Sequence, residues 1–84
     1  MTNQPITIYG TAWCGDCRIA LRVLDQHQAQ YHYVDIEADD VARSYVEQLN
    51  NGNHSVPTIL FPDGSVLVEP SAAILARKLA TMCS

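Results

Sequence analysis

The sequence is poor in positive charge and has no long apolar run. It contains five Lys and Arg residues against nine Asp and Glu residues, which gives a formal net charge of −4. Phosphate binding needs clustered basic side chains, so nucleic acid is not an expected partner. No apolar run approaches the roughly 20 residues that span a bilayer, and the N-terminus lacks the basic and apolar regions of a signal peptide. We therefore expect no membrane association and a cytoplasmic location.

Cysteine is also scarce. The chain has three cysteines, an odd number that excludes a fully paired disulfide scaffold within one chain and fits a reducing compartment better. Two of them, Cys14 and Cys17, are separated by only two residues and need a chemical explanation. Cys83 lies near the C-terminus, where chains are commonly frayed. It is either a free, incidental thiol or part of a regulatory or intermolecular disulfide.

The length leaves room for one domain. A chain of 84 residues falls below the usual size of a single domain, which excludes a second independent core. Hydrophobic residues make up 48% and charged residues 17%, and this composition argues against disorder along most of the length. We expect one domain over residues 1–84, with its core over about residues 5–82, and a monomer.

Patterns of apolar residues divide the chain into seven elements. Short runs rich in β-branched and aromatic residues predict strands over residues 6–9, 31–36, 56–61 and 66–68. Apolar residues at three- and four-residue intervals predict helices from the cysteine pair to about residue 28, over 39–49 and over 72–79. Acids open the second helix, Asn51-Gly52 ends it, and Ser71 is the expected cap of the third.

The predicted order βαβαββα defines an α/β fold. The first two strands, joined by a helix, form a right-handed parallel crossover, and the last two, joined by a tight turn, form an antiparallel hairpin. The result is a four-stranded mixed sheet flanked by three helices. Pro57 would remove a hydrogen-bond donor from the head of a central strand. It therefore needs a special backbone role there, such as a cis peptide bond.

The pair Cys14 and Cys17 follows a strand and opens a helix. That position sets the first sulfur over unsatisfied backbone N–H groups at the positive end of the helix dipole, which favours the thiolate. One helical turn brings Cys17 back beside Cys14, where it can attack a mixed disulfide and release a reduced substrate. We therefore predict that Cys14 is the nucleophile and Cys17 the resolving thiol.

Three residues beside the cysteine pair are candidates for altering its thiolate formation or its contact with the substrate. Asp16 opposes the thiolate if its carboxylate points toward Cys14; otherwise it is a solvated residue suited to the first turn of a helix. Arg18 acts in the opposite direction, and the sequence does not rank the two effects. Trp13 either contacts the bound disulfide or packs beside the loop.

Two other interpretations of the cysteine pair are open. Both cysteines can be small core residues. With His27 and His32 they also have the ligand types of a Cys₂His₂ zinc site, but the spacing is short and a zinc finger leaves the rest of the core unexplained. The strand before the pair and the helix after it favour redox chemistry, so no metal site is expected.

Six segments are more specific than two spaced cysteines. They are WCGDC at 13–17, VDIE at 34–37, NGN at 51–53, VPT at 56–58, FPDGS at 61–65 and EPS at 69–71. Together they resemble the glutaredoxin branch of the thioredoxin superfamily, and most of all its mycoredoxin-like members. The resemblance implies a thioredoxin-like fold and a thiol–disulfide oxidoreductase that binds no prosthetic group.

The resemblance also implies roles for individual residues. Cys14 attacks, Cys17 resolves, and Pro57 is cis. The Val56 backbone pairs with the substrate like an added strand, a mode that suits an extended, peptide-like thiol. Thr58 borders the same groove.

The choice of small thiol follows from one difference between this sequence and the glutaredoxins that use glutathione. Glutathione-using glutaredoxins resemble one another in a Gly-Gly segment followed by acidic residues, and here the equivalent stretch is VEPS at 68–71. The N-terminus of the last helix and the Ser71 hydroxyl can still hold a carboxylate. The closer resemblance implies mycothiol rather than glutathione as the co-substrate.

The leading hypothesis is reduction of mixed disulfides between proteins and a small thiol. One alternative is a thioredoxin-like electron donor that is fed by a disulfide reductase. Another is a binding module that carries an iron–sulfur cluster or zinc on Cys14 in a dimer, with a partner or exogenous thiols completing the ligand set.

Overall fold

The computed structural model describes residues 5–82, and Cys83 lies outside them. Within this range the elements are β1 (Ile6–Gly10), α1 (Gly15–Gln26), β2 (Tyr31–Asp35), α2 (Asp40–Leu49), β3 (Thr58–Leu60), β4 (Val66–Val68) and α3 (Ala72–Met82). This is the predicted order. None of the helices in the described part of the chain is long and apolar enough to cross a membrane.

The strands form one mixed sheet in the order β2-β1-β3-β4. β1 pairs in parallel with β2, so that Ile8 lies beside Tyr33, and antiparallel with β3, where Ile8 lies beside Ile59. β3 and β4 form the predicted antiparallel hairpin, with Ile59 beside Leu67. The predicted α/β fold is confirmed, and the end of the central strand β1 leads directly into the cysteine segment.

Alternation along β1 divides the core between the two faces of the sheet, because successive side chains of a strand point to opposite sides. On one face, α1 and α3 contribute to a cluster of Ile6, Ile8, Ala20, Val23, Leu24, Ile59, Phe61, Leu75 and Leu79. On the other face, α2 contributes to a smaller cluster of Tyr9, Ile36, Ala42 and Val46. Burying each large aliphatic side chain contributes about 1.5–3 kcal/mol, so packing on both faces holds β1 and the segment after it in place.

Three element boundaries differ from the prediction by two or three residues, and the other differences are of one residue. α1 ends at Gln26 rather than at residue 28, because Gln28 has a left-handed backbone with φ 55° that ends the helix. β3 begins at Thr58 rather than at residue 56, because Pro57 has no N–H to donate to the sheet. α3 continues to Met82 instead of ending at residue 79.

Side-chain oxygens cap the last two helices. Ser71 caps α3 as predicted, since its Oγ accepts a hydrogen bond from the Ile74 N–H at 3.2 Å. Asp39 caps α2 in the same way, with its Oδ1 accepting from the Ala42 N–H at 3.0 Å. A cap of this kind stabilises a helix by about 1 kcal/mol. At the start of α1 the capping atom is a sulfur.

Candidate active site

Cys14 is the N-cap residue of α1. Its backbone is extended, with φ −84° and ψ 111°, and its Sγ accepts a hydrogen bond from the Cys17 N–H at 3.0 Å. A sulfur thus takes the place of the Ser or Asp oxygen that usually caps a helix. The N–H group and the positive end of the helix dipole both favour negative charge on this sulfur. The structure therefore places Cys14 at the helix start, where the sequence predicted it.

The Cys14 sulfur also faces the segment before β3. It lies 3.8 Å from the Val56 carbonyl oxygen, to which the thiol donates weakly. The Val56–Pro57 peptide bond is cis, as the resemblance implied. The Val56 N–H has no hydrogen-bond partner within residues 5–82. Val56 therefore presents a free N–H and a weakly engaged carbonyl beside the sulfur.

Cys17 is more buried than Cys14, with 2% of its surface exposed against 6%. Burial is the main cause that raises the pKa of Cys17 from its ordinary 9.0 to about 12, with contributions from Cys14 and Asp16, while the Thr11 backbone acts in the opposite direction. Cys17 is therefore protonated at neutral pH in the reduced protein, and its proton must leave before it can attack a disulfide.

The raised pKa of Cys17 predicts a loss of stability at high pH. Between about pH 9 and pH 12 the folded protein keeps a proton that the unfolded chain loses, so the free energy of unfolding falls as pH rises through this window. Below pH 9 the Cys17 contribution is fully present. Urea unfolding of the reduced wild type and Cys17→Ala at a series of pH values measures the effect. We expect a steeper fall for the wild type, and parallel curves would contradict the prediction.

Gly10, the last residue of β1, makes room for the Cys17 sulfur. A Cβ added at Gly10 would lie 2.7 Å from Cys17 Sγ and 3.1 Å from Cε1 of Tyr33. The Tyr33 ring, carried by the neighbouring β2, thus packs over the same spot. Burial, followed by nearby Asp35 and the two cysteines, raises the pKa of the Tyr33 hydroxyl. The absence of a side chain at Gly10 is what allows the Cys17 thiol to lie against the sheet.

An open groove of about 460 Å³ lies over Cys14. It is lined by Trp13, Cys14, Gly15, Asp16, His54, Ser55, Val56 and Glu69. The cysteine segment, the loop before β3 and the residue after β4 meet there. The predicted site residues that the groove brings together are Trp13, Cys14, Asp16 and Val56.

Thr58 does not border the groove, although the resemblance implied that it would. Its side chain is fully buried. Its Oγ1 donates a hydrogen bond to the Ser55 carbonyl at 2.6 Å and accepts one from Asn50 Nδ2 at 3.1 Å. Thr58 therefore braces the loop that carries Val56 and does not offer its hydroxyl to a ligand.

Four other predicted site residues also lie outside the groove lining: Cys17 and Pro57, which are buried, and Arg18 and Ser71, which are exposed. The Ser71 hydroxyl is engaged in the cap of α3. Arg18 forms no ion pair with any residue between positions 5 and 82. Neither Arg18 nor Ser71 therefore contributes a contact to the groove.

The charge of the groove is mainly negative. Asp16 and Glu69 contribute carboxylates, and no Lys or Arg is among the lining residues that the structure describes. Glu69 has a left-handed backbone with φ 49°, and its N–H donates to the Pro57 carbonyl at 2.8 Å. The basic side chain among these lining residues is that of His54. It is paired with Glu47 of α2. Anionic ligands are therefore disfavoured here.

The sequence assigned no site role to His54, Ser55 or Glu69, although Glu69 lies in the segment at 68–71 that decided the choice of small thiol. His54 and Ser55 directly precede Val56, and that adjacency was the available signal. Glu37 was missed as well, although the Trp13 indole Nε1 donates a hydrogen bond to its Oε2 at 2.9 Å. The two residues are 24 positions apart, so no local pattern links them.

The alternative interpretation of the cysteine pair as part of a zinc site does not match the geometry. His27 is the C-cap of α1, with Nδ1 3.0 Å from the Val23 carbonyl oxygen, whereas Cys14 caps the other end. The 12 residues of α1 separate these ends by about 18 Å at 1.5 Å per residue. In the part of the chain that the structure describes, no three potential metal ligands come together.

Comparison with known proteins identifies the family of the chain. Residues 6–66 match the family model of the glutaredoxins. A protein of Mycobacterium tuberculosis (strain H37Rv) that carries the name glutaredoxin is 42% identical over 79 residues, which cover 94% of each chain. Mycoredoxin 1 of Corynebacterium glutamicum is 38% identical over 74 residues, which cover 88% of this chain and 91% of that protein.

The fold comparison gives the same result. The crystal structure of the thioredoxin-like protein BC3987 matches with a TM-score of 0.76 and 26% identity, covering 88% of this chain and 97% of that one. The predicted thioredoxin-like fold is confirmed. With the family match over most of the chain and the dithiol at the helix start, the chain belongs to the glutaredoxin family and is a thiol–disulfide oxidoreductase.

Proposed function

We propose that this oxidoreductase reduces mixed disulfides between proteins and a low-molecular-weight thiol, with Cys14 as the nucleophile and Cys17 as the resolving thiol. The placement of the Cys14 sulfur carries the proposal: it caps α1 and lies under an open groove, opposite Val56. The small thiol acts as a co-substrate. The cytoplasm is the compartment we propose, because its thiol pools keep a dithiol of this kind reduced.

The reaction begins when the Cys14 thiolate attacks the sulfur that belongs to the small thiol. An S–S bond forms between Cys14 and the small thiol, the S–S bond of the substrate breaks, and the released protein thiolate takes a proton from solvent. A second small thiol, as its thiolate, then attacks the intermediate and leaves as a disulfide, which restores the Cys14 thiolate. The electron pair that reduces the protein sulfur therefore comes from the small thiols.

Cys17 offers a second way to discharge the intermediate. It attacks the Cys14 sulfur, forms a Cys14–Cys17 disulfide and releases the small thiol. The hydrogen bond and charge of Cys14 help to raise the pKa of Cys17. Both causes weaken once Cys14 is held in a disulfide, so the pKa of Cys17 falls at that stage and its thiolate forms more readily.

The free Val56 backbone supports binding of an extended substrate. Its N–H has no partner within residues 5–82, and its carbonyl makes only the long contact with Cys14. A peptide-like segment beside the disulfide can pair with both groups as an added strand does. Thr58 and Asn50 hold this loop in place, so little ordering is needed when the substrate binds.

The charge of the groove favours mycothiol over glutathione. Glutathione brings two carboxylates toward a groove that already holds Asp16 and Glu69, and like charges at such short range repel. Mycothiol carries hydroxyl groups on its sugar part and no carboxylate, so it can donate hydrogen bonds to the same acidic side chains. The similarity to Mycoredoxin 1 of Corynebacterium glutamicum is in keeping with this choice.

Turnover of a model mixed disulfide with mycothiol or glutathione as the only electron source, each regenerated by its own reductase, tests the proposal. We expect mycothiol to be faster on the order of tenfold at low salt, which corresponds to about 1.4 kcal/mol of discrimination. Glu69→Gln should reduce the difference in turnover between mycothiol and glutathione, because it removes a negative charge from the groove and keeps the shape of the side chain. Faster turnover with glutathione would contradict the choice of thiol.

The same assay separates the alternative functions. No turnover with either thiol, together with activity when a disulfide reductase is supplied, would indicate an electron donor that is reduced by that reductase. Visible absorption by anaerobically purified protein would indicate an iron–sulfur module. A colourless protein with thiol-dependent turnover supports mixed-disulfide reduction.

A further inference from the structure

Trp13 is unusually exposed for a residue of its size. It is the only tryptophan of the chain, and 69% of its surface is open to solvent. An aromatic side chain that leaves so much apolar surface in water stabilises the fold little, and such residues are enriched where proteins bind ligands. The indole also lines the groove over Cys14.

One hydrogen bond fixes this exposed indole. Its Nε1 donates to Oε2 of Glu37 at 2.9 Å. Glu37 lies two residues after the end of β2, and its own N–H donates to Asp35 Oδ1 at 2.9 Å. The Ala38 N–H donates to the Asp35 carbonyl at 3.1 Å, which closes the turn. The carboxylate that holds Trp13 is therefore carried by a braced turn at the edge of the sheet.

We propose that Glu37 is a positioning residue that sets the Trp13 indole as one wall of the substrate groove. The inference rests on the proposed function, since it assigns Trp13 a part in substrate binding. Without the Glu37 carboxylate the indole rotates freely, and binding must then order it at an entropic cost. We expect the effect on binding, because neither Trp13 nor Glu37 is a hydrogen-bond partner of the Cys14 sulfur.

Glu37→Ala should raise the KM for the mixed disulfide about three- to tenfold, the size expected for one hydrogen bond, and change kcat little. Glu37→Gln should stay close to the wild type, because its amide oxygen still accepts from the indole. The single indole N–H signal in a proton–nitrogen NMR spectrum reports the bond directly. It should shift in Glu37→Ala and stay near its wild-type position in Glu37→Gln.

Asp25→Ala is the matched control for losing an exposed carboxylate that holds an aromatic ring. Asp25 Oδ1 accepts from the Tyr31 hydroxyl at 2.9 Å, and Asp25 lies near the end of α1 that is remote from Cys14. Its removal should leave the KM and the indole signal unchanged.

A double-mutant comparison decides the assignment. In a Trp13→Phe background there is no indole N–H to hold, so Glu37→Ala should have no further effect on KM. An equal effect of Glu37→Ala in both backgrounds, or no effect in either, overturns the positioning role and leaves the proposed function intact. Wild-type turnover no higher than that of Cys14→Ser would instead overturn the proposed function, and the role of Glu37 with it.

Discussion

Replacing Cys14 by Ser is expected to lower the turnover of a mixed disulfide by about a thousandfold or more, the scale on which enzymes lose activity without their nucleophile. The Ser hydroxyl can still accept the Cys17 N–H at the N-cap, so the fold should survive. The loss is then chemical, because a hydroxyl at neutral pH does not attack a disulfide as a thiolate does. Thiol-coupled turnover measures the rate, and circular dichroism checks the fold.

Cys17→Ser is the matched variant, and it should affect the reduction of protein disulfides and the exchange with mixed disulfides differently. Reduction of a protein dithiol–disulfide pair should be lost, because the resolving thiol is gone. Exchange with a small-thiol mixed disulfide should remain within about tenfold of the wild type, since a second small thiol can discharge Cys14. Loss of both activities in Cys17→Ser would contradict the discharge of Cys14 by a second small thiol. Retained activity in Cys14→Ser would contradict the choice of nucleophile.

Gly10→Ala should destabilise the reduced protein by about 1–3 kcal/mol, the usual cost of overpacking a core. The new Cβ would lie 2.7 Å from the Cys17 sulfur, which is buried and has little freedom to move. In a domain of this size such a change lowers Tm by several degrees per kcal/mol. Displacement of the sulfur should also slow the Cys17-dependent reduction of dithiol substrates. Thermal unfolding and the two activity assays measure these effects.

Gly15→Ala is the control for losing a glycine in the same segment. No atom lies within 4 Å of a Cβ added at Gly15, and Ala is favoured over Gly in a helix by up to about 1 kcal/mol. Gly15→Ala should therefore be as stable as the wild type or slightly more so. Equal stability of Gly10→Ala and the wild type would show that the sulfur does not depend on this space.

The elements of the fold were predictable because their signals are local. Apolar periodicity, the Ser71 cap and the hairpin turn each lie within a few residues and agree with the packed structure. Two of the ends that differed, those of α1 and β3, depend on single backbone features. Gln28 is left-handed without being Gly, and the sequence pattern extended β3 past Pro57, whose missing N–H shortens the strand.

The centre of the site was predictable for the same reason, whereas its walls were predictable only in part. Cys14 and Cys17 are one helical turn apart, so their spacing and the helix start reveal their arrangement. The Trp13–Glu37 bond and the position of Glu69 depend on contacts between distant segments. Thr58 was predicted to border the groove because it follows the cis proline in the sequence, and this prediction was wrong. Its side chain turns inward, where Asn50 and Ser55 engage its hydroxyl.

The most direct test of exchange through Cys14 is mass spectrometry of the Cys17→Ser protein after incubation with the mixed disulfide of mycothiol and a model peptide. A Cys83→Ser background leaves Cys14 as the only thiol of the three in the sequence. We expect an added mass of one mycothiol unit, mapped to Cys14 and removed by dithiothreitol. The same protein with Cys14→Ser and Cys17 restored should carry no such adduct at comparable times. A failure of Cys14 to form the adduct, or an equally rapid adduct on Cys17, would contradict the assignment of Cys14 as the nucleophile.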